Sequence, residues 1–154
     1  MESFDLVAMG GTFDVIHSGH MALLGKSFSI SSKVIIGLSS DQLAEKRGKN
    51  LDNDYSKRLS SLKSAIEKNF PNSSYEISKL ENDFGPAVIE GSVKALVVSE
   101  ETSSKGAHLN ELRAERNLPP VEIVVVPMVL AKDGKAISST RIKNSEIDSS
   151  GNLN

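Results

Sequence analysis

Short, nearly continuous apolar runs spaced along the chain constrain its fold most tightly. Residues 33–38 read KVIIGL, residues 95–99 ALVVS and residues 121–126 VEIVVV. Runs of this length with little polar alternation suit strands buried on both faces, as in a parallel sheet. Residues 4–9 (FDLVAM) form another run, which stops at Gly10-Gly11, and residues 75–80 (YEISKL) read as a weaker strand. Between these runs the apolar residues fall at helical spacing. Met21, Leu24 and Phe28, widened by Ala22 and Leu23, predict a helix over 19–30. Leu59, Leu62, Ile66 and Phe70 predict one over 54–70, with Asp54 to cap it and Pro71 after its end. Further helices are predicted near 105–118 and from Ser138 or Ser139. Strand and helix in repeated alternation give an α/β, Rossmann-like sandwich: a mainly parallel five-stranded sheet, helices on both faces and right-handed crossovers. Such sheets bind ligands at the carboxyl ends of their strands. Attention therefore falls on residues 10–20, 39–49, 99–106 and 127–141.

Composition narrows the classes. The 154 residues suit one domain over 1–154, and 38% are apolar, enough for a core. The polar segment 145–154 is expected to fray. The absence of cysteine excludes disulfides, thiolate zinc sites and cysteine nucleophiles. No basic stretch followed by an apolar one opens the chain, and no apolar run is long enough to span a bilayer, so a cytoplasmic protein with no membrane partner is expected. Eighteen basic against 20 acidic residues leave a net charge of −2, which argues against nucleic acid as a partner. A small anion in one local pocket, and self-association into a homo-oligomer, are both left open.

The segment Gly10-Gly11-Thr12-Phe13-Asp14-Val15-Ile16-His17-Ser18-Gly19-His20 follows the first strand. Two glycines let a ligand approach the backbone closely. Thr12 adds a hydroxyl and an amide. His17 and His20 flank Gly19 at a predicted helix start, where free amides and the helix dipole favour phosphate. The histidines could instead ligate a metal, with Asp14 the one nearby third ligand, or form a purely structural pair. Function outweighs both, because two of the chain's three histidines share this one loop where an α/β fold binds ligands. Near the other end of the chain, Ile137-Ser138-Ser139-Thr140-Arg141-Ile142 places three hydroxyls and a guanidinium at a predicted helix start. Alone, that segment reads as an ordinary Ser/Thr cap.

Together the two segments resemble the signatures of the HxGH nucleotidyltransferase superfamily, with GTFDVIHSGH as the first and ISSTRI as the second. Val97-Val98-Ser99-Glu100-Glu101-Thr102, Asp83-Phe84-Gly85-Pro86 and the basic stretch Asp41–Lys49 further resemble the archaeal and eukaryotic type of phosphopantetheine adenylyltransferase. His17 stands where bacterial enzymes of that activity usually carry threonine. The resemblance runs from Phe4 to about Lys143. It implies an enzyme of coenzyme A biosynthesis that transfers AMP from ATP to 4′-phosphopantetheine, releasing dephospho-coenzyme A and pyrophosphate, with Mg²⁺ entering on ATP. Implied catalytic residues are Thr12 with Lys46 or Lys49 on the acceptor phosphate, His20 on the α-phosphate, and His17 on the nucleotide phosphates. Gly10, Gly11, Phe13, Gly19, Ser99 and Glu100 join the nucleotide site, and Ser138, Ser139, Thr140 and Arg141 anchor the leaving pyrophosphate. Arg47 competes with Lys46 and Lys49 for the one family lysine, and Glu100 and Glu101 could simply cap a helix. Leu59, Phe84 and residues 127–130 are candidate walls for the pantetheine arm, with a core role favoured for Leu59. The competing readings are the same transfer to FMN, nicotinamide mononucleotide or glycerol phosphate, or a nucleotide sensor without turnover. A tRNA synthetase would need more chain and a basic surface.

Overall fold

The apolar runs are strands, and alternation along each strand divides the core between the two faces of one sheet. A computed structural model describes residues 4–82, 84–85 and 91–153, and of Glu101, Ser139 and Thr140 the backbone only. Asp83 and Pro86 therefore lie outside the described residues. Strands β1 (Val7–Gly11), β2 (Val34–Ser39), β3 (Tyr75–Leu80), β4 (Ala95–Ser99) and β5 (Glu122–Val126) pair in the order β3-β2-β1-β4-β5, every pair parallel. On one face Val7, Met9, Val34, Ile36, Ala95 and Val97 pack with Leu24 of helix α1 (Ser18–Ser29) and with Leu62 and Ile66 of α3 (Tyr55–Asn69). On the other, Ala8, Ile35, Leu96 and Val98 pack with Leu109 of α4 (Ser104–Glu115). Each central strand thus sends successive side chains into two cores, which is why its sequence shows no polar alternation.

Several boundaries differ from the sequence reading for physical reasons. β1 begins after Phe4 and runs on through Gly10 and Gly11, which pair with Gly37 and Leu38. Phe4 makes only an isolated bridge to Ser31. The basic stretch after β2 opens with a short helix, α2 (Asp41–Lys46), capped by Ser40, whose hydroxyl accepts from the Leu43 amide at 3.0 Å. It ends in a left-handed turn at Gly48 (φ +74°), where the Gly48 amide donates to Glu45 and the Lys49 amide to Ala44. Asp54 caps α3 as expected, its carboxylate accepting from the Lys57 amide at 2.9 Å. The last helix, α5 (Ser139–Lys143), is short.

Residues 145–153 form a compact turn packed against the rest of the chain. Ile147 is 1% exposed and packs with Ala131 and Ile137 in a third small cluster. The carboxylate of Asp148 gathers the amides of Ser150 and Asn152 and the Asn152 side chain, closing a compact turn. One buried isoleucine and one turn-closing aspartate outweigh the polar composition of the segment.

Candidate active site

The site opens where the sheet parts. β1 and β2 stay paired over five positions, but β1 and β4 pair only at Val7 with Ala95 and Ala8 with Leu96. Beyond them the two strands diverge, and Met9, Gly10 and Gly11 face Val97, Val98 and Ser99 across a cavity of about 860 Å³. This volume is in the range of small-ligand sites, and its place is the switch point of a parallel sheet.

Both motif histidines line this cavity at the start of α1. His17 is the N-cap: its Nδ1 accepts from the Gly19 amide at 3.0 Å, and its own amide donates to Nδ1 of His20 at 3.3 Å. The rings stack, with centroids 3.9 Å apart, and Phe13 lies 4.6 Å from the His20 ring. A Cβ on Gly19 would stand 2.8 Å from Cε1 of His17, so the stacked pair requires glycine between them. With Nδ1 of each ring spent as an acceptor, each neutral imidazole carries its proton on Nε2. Burial pushes His17 down to about 4. Burial, then the neighbouring His17 and the Lys49 cation, push His20 down to about 3. Both rings are neutral donors at pH 7.

This neutrality has a consequence for stability. Unfolding returns both histidines to a value near 6.5, so below that pH the unfolded chain binds protons that the folded chain refuses. The contribution is present above pH 6.5 and is lost as pH falls towards 4 and 3. The melting midpoint should therefore drop over that window, and His20→Asn should show a shallower drop. Imidazole NMR titrations should show no midpoint near 6.5 for either ring.

Beneath the histidines the loop is over-determined. Phe13 adopts φ +53°, unfavourable for a bulky residue, with its ring 1% exposed. On either side the backbone is clamped. Arg58, wholly buried, donates from Nη1 to the carbonyls of Thr12 (2.9 Å) and Ser39 (2.8 Å), from Nε to Asn53 (3.1 Å) and from Nη2 to the Asp41 carboxylate (2.7 Å). One guanidinium thus ties the ends of β1 and β2 to the start of α3. Asp14 accepts from the amides of Asp52 (3.1 Å) and Asn53 (3.0 Å) and pairs with Lys143, which also donates to the Asn50 carbonyl at 2.7 Å. Burial alone would raise Asp14, but the bonds from Lys143, Asp52 and Asn53 hold it below the usual carboxylate range. The oxygens of Asp14 are engaged by Lys143, Asp52 and Asn53, and no group of three metal-binding side chains occurs among the described residues.

The structure brings together many of the residues singled out from sequence and separates others. Gly10, Gly11, Thr12, Phe13, His17, Gly19, His20, Lys49, Ser99 and Ser138 all line the cavity, as do Phe84, Pro127, Met128 and Val129. Lys46 does not: it is exposed in the last turn of α2, while Lys49, after the Gly48 turn, stands at the rim of the cavity with Arg47. Leu59 packs against the α1–α3 core instead of walling the site. Glu100 stands in the short 3₁₀ turn Glu100–Thr102 and accepts from the Met128 amide at 2.9 Å, fixing the loop after β5. Arg141 is also absent from the lining. Its guanidinium pairs with Asp133 and with Glu146 (3.1 Å) and donates to the Ala136 carbonyl at 3.1 Å. These contacts brace the turn before Ser138. Of the residues that sequence did not single out, Arg58 left one signal: it stands four residues before Leu62 and eight before Ile66 on the buried stripe of α3. Lys143 left none, because its partner Asp14 is remote in sequence.

Comparison with known proteins places this geometry. The cytidylyltransferase-like family model matches residues 8–145. The phosphopantetheine adenylyltransferase of Methanosarcina barkeri is 43% identical over 150 residues, covering 96% of this chain and 91% of its own. That of Pyrococcus horikoshii is 41% identical over 154 residues, covering 99% and 96%. A crystal structure of an Archaeoglobus fulgidus protein of unknown function superposes with a TM-score of 0.71 at 28% identity, covering 82% of this chain and 89% of that one.

Proposed function

The chain belongs to the cytidylyltransferase-like family, and from that premise we propose that it transfers the adenylyl group of ATP to 4′-phosphopantetheine in coenzyme A biosynthesis. The observation that carries the reading is the pair of neutral, locked imidazoles that line one cavity together with Lys49 and Ser138. The names of the full-length relatives supply the acceptor.

An oxygen of the acceptor's 4′-phosphate attacks the α-phosphorus of ATP. The bond from that phosphorus to the bridging oxygen on the β side breaks, and pyrophosphate leaves with the electron pair. A phosphate nucleophile is already ionised at neutral pH, so no general base is needed. The site must instead bring two anions together and hold the charge that builds on the α-phosphoryl oxygens. Thr12 and Lys49 position the acceptor. His20 donates its Nε2 proton in a hydrogen bond to the α-phosphate, and His17 does so to the neighbouring nucleotide oxygens. Ser138 and Lys143 flank the leaving pyrophosphate, with Ser139 and Thr140 of the same motif, while Arg141 and Glu100 hold the loops that carry the site. Mg²⁺ carried on ATP would supply charge neutralisation at the triphosphate oxygens. This fits a cavity whose buried carboxylate, Asp14, is committed to Lys143. The cytoplasm is the proposed setting, and no described helix is long and apolar enough to cross a membrane.

Mass spectrometry of a reaction with Mg·ATP and 4′-phosphopantetheine should show the acceptor heavier by one adenylyl group. ATP broken down with the acceptor unchanged would refute the transfer. Lys49→Ala should raise the KM for the acceptor about tenfold, the worth of one hydrogen bond to a charged group. Lys46→Ala should leave it unchanged, and equal effects from the two would reject the assignment.

A further inference from the structure

We propose that the closing turn of the chain, residues 147–153, is a positioning element for the two site imidazoles, acting through Ser18. The proposal rests on the transfer reading, but the contacts that carry it are independent of the substrate. Ser18 is the first residue of α1, between His17 and Gly19, and does not line the cavity. Its amide donates to the Ser149 carbonyl at 3.0 Å and its hydroxyl to the same oxygen at 3.2 Å. Of the first amides of α1, Ser18's is thus held by the tail and Gly19's by the His17 ring. The carbonyl lies at the positive end of the helix, where such an acceptor is favoured.

The tail that presents this carbonyl is itself anchored to the second motif. Ile147 is buried against Ala131 and Ile137, the residue that opens ISSTRI. The Gly151 carbonyl accepts from the Lys132 amide at 2.9 Å, and Asp148 closes the turn between them. From the other side, Ile137 donates its amide to Val129, whose neighbours Pro127 and Met128 line the cavity. The turn therefore joins the start of α1, with its histidines, to the bridged turn that leads into Ser138. These are the two sides between which the α-phosphorus must lie. A tether of this kind governs the distance between donors and leaving group, a quantity to which transfer rates are steeply sensitive.

Ser18→Pro isolates the tether. Proline at the first helical position is well tolerated, and His17 already has the extended backbone (φ −142°, ψ 179°) that a following proline requires. The substitution removes both bonds to Ser149 and leaves the buried contacts of the tail in place. Ser18→Ala keeps the amide bond and serves as its companion. Asp148→Ala opens the turn without touching α1, and Asp148→Asn retains the Oδ1 acceptor for two amides.

At a temperature well below each variant's melting midpoint, Ser18→Pro and Asp148→Ala should lower kcat about ten- to a hundredfold, with KM for ATP little changed. Ser18→Ala and Asp148→Asn should stay near wild type. The imidazole ¹⁵N signals of His17 and His20, recorded without substrate, should move in the first pair and not in the second. A fall in melting midpoint with kcat and imidazole signals unchanged would show a merely structural tail and overturn the proposal. Shifted imidazole signals with kcat unchanged would overturn it too. The imidazole readout needs no turnover, so a wild-type protein inactive on phosphopantetheine would count against the transfer reading and not against the tether.

Discussion

Replacing His20 by alanine should lower turnover about a hundredfold, equivalent to about 3 kcal/mol of lost transition-state stabilisation, while the protein stays folded. The size follows from the ring's situation. Its Nδ1 is occupied by the His17 amide, its faces are covered by His17 and Phe13, and burial keeps it neutral, so one fixed Nε2–H donor remains for a ligand. A donor held this way costs no reorganisation when charge develops, which is why its loss falls on kcat more than on KM. The fold should survive because α1 keeps the His17 cap on Gly19 and its buried Leu24. Circular dichroism and the melting midpoint verify folding, and steady-state kinetics give the split. Near-normal turnover in a folded variant would remove His20 from the mechanism.

Arg58→Met should destabilise the protein by about 3–5 kcal/mol, the largest stability effect expected of any single side chain near the site. Methionine fills much of the space, so the loss is polar. The carbonyls of Thr12, Ser39 and Asn53 lose a donor, and Asp41 loses its partner. Asp41 is partly solvated, which softens its share, so the carbonyls dominate. Arg58→Lys should recover little, because one ammonium cannot reproduce a planar fork that reaches four oxygens on three segments. Urea unfolding gives the measure. A loss below about 1 kcal/mol, the worth of one ordinary hydrogen bond, would mean that the loops hold their shape without the guanidinium.

Arg58 also marks the limit of what the sequence disclosed. The sheet was legible because β1, β2 and β4 feed two cores and so carry unbroken apolar runs, and α3 because Asp54, Leu62 and Ile66 obey local rules of capping and spacing. The glycines, histidines and Ser138 were legible because they are consecutive in two short motifs. What was hidden depends on contacts distant in sequence. Lys143 meets Asp14, and Ser149 meets Ser18, only after the sheet is assembled. Lys46 and Lys49 differ in direction because Gly48 turns the backbone between them, and residue type alone does not reveal that turn. Arg141 stands in a motif that reads as phosphate-binding, and its pairing with Asp133 and Glu146 was not legible there. The final segment reads as polar, and its docking hangs on Ile147 alone among its few apolar residues.

Pyrophosphate release from Mg·ATP, followed in parallel with 4′-phosphopantetheine, FMN, nicotinamide mononucleotide and glycerol phosphate, tests the central claim most directly. Release that depends on 4′-phosphopantetheine, and is absent with the other three, is the predicted result. Release driven by a different acceptor, or none with any acceptor while ATP binds, would contradict it.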